Sequence, residues 1–218
     1  MMEKAEDPGR ILLIDKPIHW TSFDVVNKLR YKLKIKKIGH AGTLDPLATG
    51  LLIICVGKMT KRIEEFMGQE KEYTGKFILG QKTVSHDLET PVTGHTDISH
   101  ITSKVVEETA KQFLGNISQL PPQHSAIRIK GRRAYEFARE GKEIELTARQ
   151  VMVSAFDIVN VQLPEVSFRI VCSKGTYIRS LARDFGNALQ VGAYLSELCR
   201  TRIGVFKLED ASTVDEIS

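Results

Sequence analysis

The chain has 218 residues, which is long enough to bury a substantial core as one large domain or as a domain with a small subdomain. Its 42% hydrophobic and 27% charged residues are ordinary for a globular protein, and 31 Lys and Arg against 27 Asp and Glu leave a net charge of only +4, which alone does not indicate a polyanionic partner. Three widely separated cysteines exclude a disulfide framework and zinc-binding spacing, and no signal-peptide or membrane-length apolar segment is found, so we expect a cytoplasmic protein.

The first quarter of the chain is predicted to fold as a strand, a helix and a second strand. An apolar run over 11–14 indicates a buried strand, and Thr21-Ser22-Phe23-Asp24 resembles the capping box that begins a helix. Apolar residues then recur at helical spacing over 23–33. A continuous apolar run over 51–56 indicates the second buried strand.

The later elements follow from apolar periodicity and from the positions of glycine and proline. In chain order we predict a helical turn over 60–66, a strand over 73–79, an exposed extended segment over 81–101, a helix over 103–114 with Gly115 as its C-cap, a strand over 125–130, a helix over 134–140, strands over 151–161 and 166–172, a helix opened by Gly175-Thr176, a short helix over 194–199 and a strand over 205–208. Since strands adjoin other strands more often than they alternate with helices, we expect an α+β fold with a mixed, largely antiparallel sheet and flanking helices.

One loop carries the strongest sign of chemistry. The segment His40–Gly50 places a single carboxylate, Asp45, in a glycine-bounded loop directly before Pro46. Proline biases the preceding residue toward extended geometry, so this loop is partly fixed before any partner arrives. An acidic group on a loop that is anchored by a buried strand is a common arrangement for a reactive residue.

Two clusters of basic residues also stand out. The first has six cations and no acid, and comprises Lys28, Arg30, Lys32, Lys34, Lys36 and Lys37. The second comprises Arg128, Lys130, Arg132 and Arg133. Contact with phosphate and a merely solvated face are both open readings for each cluster.

The segment Gly39–Gly50 resembles the signature of the TruB family of RNA pseudouridine synthases. Four further segments match that family in the expected order, namely Asp15–Pro17, Lys71–Tyr73, Pro121–Ala126 and Cys172–Arg179. The resemblance covers nearly the whole chain, and five matches in order are far more specific than one short pattern.

The resemblance implies a pseudouridine synthase fold with an RNA-binding cleft. It implies a flexible N-terminus over 1–10, a catalytic domain over 11–210 with an RNA-binding insertion within 81–150, and a C-terminal tail over 211–218. The implied reaction isomerises a uridine in the T loop of tRNA to pseudouridine after the base is flipped out. It needs no cofactor and no metal.

The resemblance also assigns roles to single residues. Asp45 is the catalytic group, acting either as a nucleophile or as a base near the sugar, and Arg179 is the cation that keeps it ionised when RNA covers it. Tyr73 is the active-site tyrosine and a catalytic residue, whose ring stacks on the uracil and whose hydroxyl can take part in proton transfer. His40 enters the space that the flipped base leaves, and Leu198 packs near that base. From the residues alone, Arg179 would be a helix brace and His40 an ordinary loop residue. Tyr73 and Leu198 would be core residues.

A second group is expected to contact the substrate. Lys16 and Tyr177 lie in matched segments, with a structural role for Lys16 as the alternative. Lys61 and Arg200 are predicted phosphate contacts, with a solvated surface position as the alternative for each.

The chain departs from the family pattern in three places. Val84 stands where an acid is usual, whereas the later acid of that segment is retained as Asp87, and Arg128 replaces the usual lysine. The sequence ends at Ser218, about where the catalytic domain of bacterial relatives gives way to a C-terminal RNA-binding domain of the PUA type. We therefore expect a weaker grip on distal parts of the RNA.

These observations favour an enzyme that acts on the T arm of tRNA as a monomer, with no membrane and no obligate protein partner implied. One alternative is a pseudouridine synthase that modifies another RNA or one selected by a guide RNA. The other is an RNA-folding helper that binds RNA without essential chemistry. An assay with unmodified tRNA and no guide tests the first alternative, and RNA refolding by an Asp45→Asn variant tests the second.

Overall fold

This computed structural model describes residues 9–125, 128–129, 131–142 and 144–218. The chain divides into two compact units, which are described separately below. The first unit comprises residues 1–73 and 198–218, and the second comprises residues 74–197.

The helices are α1 (Ser22–Leu33), α2 (Ile63–Gly68), α3 (Ser103–Lys111), α4 (Ala134–Arg139) and α5 (Ile178–Ala188). The strands are β1 (Arg10–Lys16), β2 (Ile38–Ala41), β3 (Thr49–Val56), β4 (Lys71–Leu79), β5 (Lys82–Thr83), β6 (Val92–Thr93), β7 (Gly115–Gln119), β8 (Arg128–Ile129), β9 (Arg132–Arg133), β10 (Arg149–Gln162), β11 (Glu165–Cys172), β12 (Ala193–Ile203) and β13 (Phe206–Lys207). Short 3-10 helices cover Gly57–Arg62 and Leu208–Asp210.

In the first unit, β3 is the central strand. β1 runs antiparallel along one of its edges, while β2 pairs antiparallel and the end of β12 pairs parallel with it on the other. Side chains alternate across β3, so Leu52, Ile54 and Val56 pack in the cluster that contains the apolar stripe of α1. The intervening Leu51, Ile53 and Cys55 pack in the cluster that contains Phe66 of α2. Because β3 is buried on both faces, the loop that precedes it has a rigid base.

In the second unit the sheet order is β12, β4, β11, β10 and β7. Strand β10 pairs antiparallel with both β7 and β11. The core of this unit is a cluster of phenylalanine rings with centroids 4.3 to 6.4 Å apart, formed by Phe77, Phe113, Phe156, Phe168 and Phe185. Phe185 belongs to α5, so this cluster holds the buried face of α5 in place.

The mixed, mostly antiparallel sheet is confirmed, as are most elements. Helix α1 has the predicted capping box, in which Thr21 Oγ1 accepts from the Asp24 amide at 3.0 Å and the Asp24 carboxylate accepts from the Thr21 amide at 2.8 Å. The long strands predicted over 151–161 and 166–172 correspond to β10 and β11. These elements have strong apolar patterns or local caps, which the sequence shows directly.

Several local predictions are wrong. Residues 194–199 are not a short helix but part of β12, because pairing with neighbouring strands overrides the helix propensity of the segment. Gly115 begins β7 and does not cap α3, which ends at Lys111 with Gln112 as its C-cap. The segment 81–101 is not exposed throughout, since Ser85 and Asp87 within it are buried.

β2 and β7 were not predicted. β2 contains Gly39 and His40, which are weak strand formers, and it exists because β3 offers it an edge. The predicted strand over 125–130 lies partly outside the described residues, and only β8 within it is described.

Candidate active site

The loop over residues 42–48 joins β2 to β3 and carries Asp45 at its centre. Asp45 is half-buried, and its carbonyl accepts a hydrogen bond from the Ala48 amide at 3.1 Å, which closes a turn around Pro46. The chain therefore leaves the sheet at Ala41 and returns at Thr49 with the carboxylate between these two points. Asp45 lies where the sequence predicted a reactive group.

Residues before and within α1 hold one side of this loop. The buried hydroxyl of Ser22 accepts from the Leu44 amide at 2.9 Å and lies 3.3 Å from the Leu44 carbonyl. The His19 amide donates to the Pro46 carbonyl at 2.7 Å. Both neighbours of Asp45 are thus fixed through their backbone groups, and the motif segment Asp15–Pro17 leads directly into these contacts.

Lys16 lies beneath the loop and is fully buried, at 0% exposure. Its ammonium donates to the carbonyls of Trp20 at 2.6 Å and Pro17 at 2.8 Å, and it lies 3.5 Å from the Pro46 carbonyl. Burial lowers the pKa of Lys16 from 10.5 to about 8, and the negative charge of Asp45 opposes that change. A cation of the same unit therefore acts on Asp45 electrostatically, which the sequence did not predict.

Arg200 on β12 holds the loop from the strand side. It is 1% exposed, and its guanidinium donates to the carbonyls of Leu51 at 2.8 Å, Gly42 at 3.2 Å and Thr43 at 3.4 Å. Neither of the two predictions for Arg200, a phosphate contact and a solvated surface position, fits this placement. The side chain is not on the surface, and its N–H groups donate to backbone carbonyls. The geometry favours a role for Arg200, as for Lys16, in positioning the loop.

Gly50 makes the approach of Arg200 possible. Its φ is +97°, and a Cβ on it would lie 2.5 Å from the Arg200 carbonyl oxygen and 2.8 Å from the Arg200 nitrogen. Glycine is therefore needed both for the backbone conformation and for the contact between β3 and β12.

We expect Gly50→Ala to lower the free energy of unfolding by at least about 2 kcal/mol in urea denaturation. The matched control is Gly94→Ala, because Gly94 has a φ of +71° but no heavy atom within 4 Å of the place where a Cβ would stand. That control should cost only about 1 kcal/mol, the cost of the left-handed backbone itself. Equal losses in the two variants would contradict the close-contact argument.

His40 lies on β2 next to the Asp45 loop. The side chain is only partly exposed, and burial lowers the pKa of His40, with the positive charge of Arg200 acting in the same direction. Both effects favour the neutral form of this planar ring.

Three other predicted residues belong to the first unit. Tyr73 is buried near the start of β4. Leu198 is half-buried on β12, and its carbonyl accepts a hydrogen bond from the Thr49 hydroxyl at 3.4 Å. Lys61 is exposed in the 3-10 helix that follows β3, a position that is compatible both with a phosphate contact and with a solvated surface residue.

Arg179 lies in the second unit, in the first turn of α5, and is 4% exposed. Its guanidinium lies 3.5 Å from the carboxylate of Asp87 and donates to the carbonyls of His124 at 2.9 Å and Ser85 at 3.4 Å. The structure thus connects two segments that the sequence treated separately.

Asp87 is the residue that sequence reasoning missed. It is buried, whereas Val84, which replaces an acid of the family pattern, is 66% exposed. The signal was present in the sequence, because Asp87 is the acid that the chain retains in this segment. Its burial beside Arg179 gives that retention a physical reason.

Tyr177 is the N-cap residue of α5. Its amide donates to Gln119 Oε1 at 2.8 Å, and its carbonyl accepts from Gln119 Nε2 at 3.1 Å. The guanidinium of Arg149 lies 4.5 Å from the centroid of the Tyr177 ring. The start of α5 is therefore fixed against β7, and one cation already contacts the ring.

Within the part of the chain that the structure describes, no cluster of three or more His, Cys, Asp or Glu side chains could hold a metal ion. Among the same residues, no helix has the length and apolar character that a membrane crossing requires.

Comparison with known proteins places these residues in context. Residues 30–178 match the family described as TruB family pseudouridylate synthase (N terminal domain). The chain is 54% identical over 210 residues to the tRNA pseudouridine synthase B of Flavobacterium johnsoniae, covering 93% of this chain and 92% of the relative. It is 52% identical over 213 residues to the protein of the same name from Phocaeicola vulgatus, covering 95% and 91%.

Among solved structures, the chain resembles one chain of a Cbf5-Nop10-Gar1 complex with a TM-score of 0.74 and 31% identity. The match covers 94% of this chain and 53% of the solved one, so this chain spans about half the length of that relative. The likeness confirms the predicted fold.

Proposed function

This chain belongs to the TruB family of pseudouridylate synthases and isomerises uridine in tRNA to pseudouridine, and we propose that its target is the T-loop uridine and its catalytic group the carboxylate of Asp45. The observation that carries the assignment is the fixation of the loop on both sides of Asp45. Ser22, Lys16 and Arg200 bind its backbone, and all three are buried. A reactive group held by packed neighbours needs little reorganisation before it acts.

The reaction breaks the bond between ribose C1′ and uracil N1, turns the base, and joins C1′ to C5. The proton lost from C5 is balanced by the proton gained at N1, so no redox partner is needed. Asp45 acts beside the sugar, either as a nucleophile at the ribose or as a base that removes a proton from it. Either role requires the carboxylate to be ionised.

Arg179 is proposed to keep Asp45 ionised when RNA excludes water from the site. Its guanidinium is already oriented within the second unit by Asp87 and two backbone carbonyls. In the first unit, Lys16 adds a second positive charge that acts on Asp45. Each opposite charge favours the ionised carboxylate against desolvation.

The remaining roles concern the flipped nucleotide. The stacked position of the target base hides C1′ and C5, so the base must leave the loop at a cost of a few kcal/mol. We propose that the neutral ring of His40 fills the space left behind and that Tyr73 and Leu198 contact the extruded uracil. The low pKa of His40 supports this, because an uncharged planar ring enters a base stack without bringing a desolvated charge. We further propose that the protein works in the cytoplasm as a monomer, with its tRNA substrate.

The exchange of the C5 proton gives a direct assay. Unmodified tRNA containing uridine tritiated at C5 should release tritium to water, with no cofactor, metal or guide RNA added. Release that requires a guide RNA would favour the alternative that the substrate is guide-selected. Absence of release from folded protein that still binds tRNA would overturn the proposal.

Asp87→Asn is expected to lower the rate of tritium release at saturating tRNA by roughly ten- to a hundredfold, because Arg179 loses the buried charge that orients it. A charge-assisted interaction of about 1.5–3 kcal/mol corresponds to that range. Asp184→Asn is the matched control, since Asp184 pairs with Arg183 on the same helix but is partly exposed. A rate for Asp87→Asn equal to that of this control would show that Asp87 does not orient Arg179 for catalysis.

A further inference from the structure

The first basic cluster lies on a surface that the catalytic proposal does not use. We propose that Lys28, Tyr31, Lys34, Lys36 and Lys37, here called the basic surface, bind the sugar–phosphate backbone of the substrate RNA outside the modified loop. The identity of that RNA as tRNA rests on the proposed function, whereas the binding of a polyanionic strand does not.

The burial pattern of α1 leaves this face open. Val25, Val26 and Leu29 are buried in the core of the first unit, and Lys28 and Tyr31 lie on the opposite side of the helix and are exposed. Tyr31 is 87% exposed, an unusual position for an aromatic side chain that has no packing role there. An aromatic ring among lysines is the combination that binds nucleic-acid strands, because the ring stacks on a base or ribose while the ammonium groups contact phosphate.

The charges of the basic surface have no acidic partner among the residues that the structure describes. Within the described residues, no ion pair involves any of its four lysines. Asp24, the acid of α1, is used in the capping box, where it binds Thr21. The neighbouring cations are engaged differently, since Arg30 donates to Asn27 at 2.8 Å and Lys32 to the carbonyl of Asp215 at 2.5 Å.

Several cations elsewhere in the chain form ion pairs. Lys76 pairs with Glu197 at 2.9 Å, and Lys207 pairs with Glu209 at 2.9 Å. In the second basic cluster, Arg132 pairs with both Glu136 and Glu140, so its charge is locally compensated. Single exposed lysines without an ion pair, such as Lys61 and Lys111, also occur in the described part of the chain, so the distinguishing feature of the basic surface is that four such lysines lie within ten residues around an exposed tyrosine. This concentration of positive charge favours an external anion.

The basic surface lies within reach of a strand whose uridine occupies the Asp45 loop. Helix α1 begins at that loop, where Ser22 binds Leu44, and its 12 residues extend about 18 Å at 1.5 Å per residue. Lys36 and Lys37 then lead directly into β2, which carries His40. All of these positions belong to the first unit, so one RNA strand can contact the loop and the basic surface together.

The test is the salt dependence of tRNA binding by the triple variant Lys28→Gln, Lys36→Gln, Lys37→Gln. Each lost phosphate contact lowers the slope of log affinity against log salt by about 0.7 to 0.9, so three contacts predict a decrease of about 2 and at least tenfold weaker binding at low salt. The rate at saturating tRNA should not change, because none of these side chains lies at the Asp45 loop. Lys34 is kept, since its φ of 56° makes any substitution there ambiguous.

The matched control is the triple variant Lys104→Gln, Lys111→Gln, Lys207→Gln, which removes the same charge from exposed positions elsewhere. Its slope should change by less than about 0.5. Tyr31→Ser should weaken binding severalfold, and Tyr31→Phe should not, because the ring and not the hydroxyl makes the contact.

Equal slopes of log affinity against log salt for the two triple variants would overturn the inference. The basic surface would then be a solvated face or a binding surface for a different partner. This failure is distinct from failure of the proposed function. Wild-type protein that forms pseudouridine while the first triple variant binds normally contradicts only the basic surface. Salt-dependent binding that the variant weakens, without any pseudouridine, contradicts only the proposed function.

Discussion

Asp45→Asn is expected to reduce tritium release from C5-labelled tRNA by at least about 10⁴-fold, to the limit of detection. Asparagine has nearly the same size and keeps an oxygen, but it has no negative charge and cannot act as nucleophile or base. Affinity for tRNA and the midpoint of thermal unfolding should stay near the wild-type values, because Asp45 is half-buried on a loop whose other anchors remain. The measurement is a single-turnover rate with enzyme in excess.

The control for this variant is Asp15→Asn. Asp15 is an exposed acid at the end of β1, next to Lys16, so the change removes one negative charge from the same unit without altering the loop. Its rate should stay within about twofold of wild type, as expected for a surface substitution. Full activity in Asp45→Asn would exclude the carboxylate from catalysis, whatever the loop geometry.

Arg179→Leu is the second large effect that we expect, with a rate loss of roughly 10²- to 10³-fold, the range for removal of one preorganised electrostatic group. The physical reason is that Asp45 loses the cation proposed to keep it ionised beneath bound RNA. The same change leaves Asp87 buried without its ion-pair partner, which costs about 3–5 kcal/mol of stability. Rates are therefore measured at a temperature where circular dichroism shows the variant to be folded.

Two further variants separate catalysis from stability. Arg183→Leu is the matched control on the next turn of α5, where Arg183 pairs with its partly exposed neighbour Asp184, and it should retain most activity. The double variant Arg179→Gln, Asp87→Asn removes both buried charges, so it should fold better than Arg179→Leu and yet remain inactive. Recovery of activity in the double variant would show that Arg179 serves only to neutralise Asp87. Arg200→Leu is no control here, because Arg200 holds the Asp45 loop.

The sequence predicted best what is encoded locally. The capping box at Thr21 and the continuous apolar run of β3 needed no knowledge of distant contacts. The loop around Asp45 was evident for the same reason, since Pro46 restricts the backbone locally and the flanking glycines permit turn conformations that other residues rarely adopt. In contrast, β12 and β2 depend on pairing with β3. The local sequence predicted a helix within β12 and no regular secondary structure at β2.

The supporting residues were harder to predict, because their roles depend on burial. Arg200 looks like an ordinary surface cation in the sequence, and Lys16 was open to a substrate contact or a structural role. Both are buried and bind backbone carbonyls around the loop. Asp87 becomes significant only when α5 brings Arg179 to it. In each case several specific partners offset the desolvation of a charged residue, and such partners are distant in sequence.

The structure of the Asp45→Asn variant bound to a T-arm RNA hairpin tests the proposed role of position 45 most directly. We predict that the target uridine is flipped out, with its C1′ about 3 to 3.5 Å from the side chain at position 45 and with the guanidinium of Arg179 beside that side chain. A target uridine that remains stacked in its loop, or one bound with its ribose remote from position 45, would contradict this prediction.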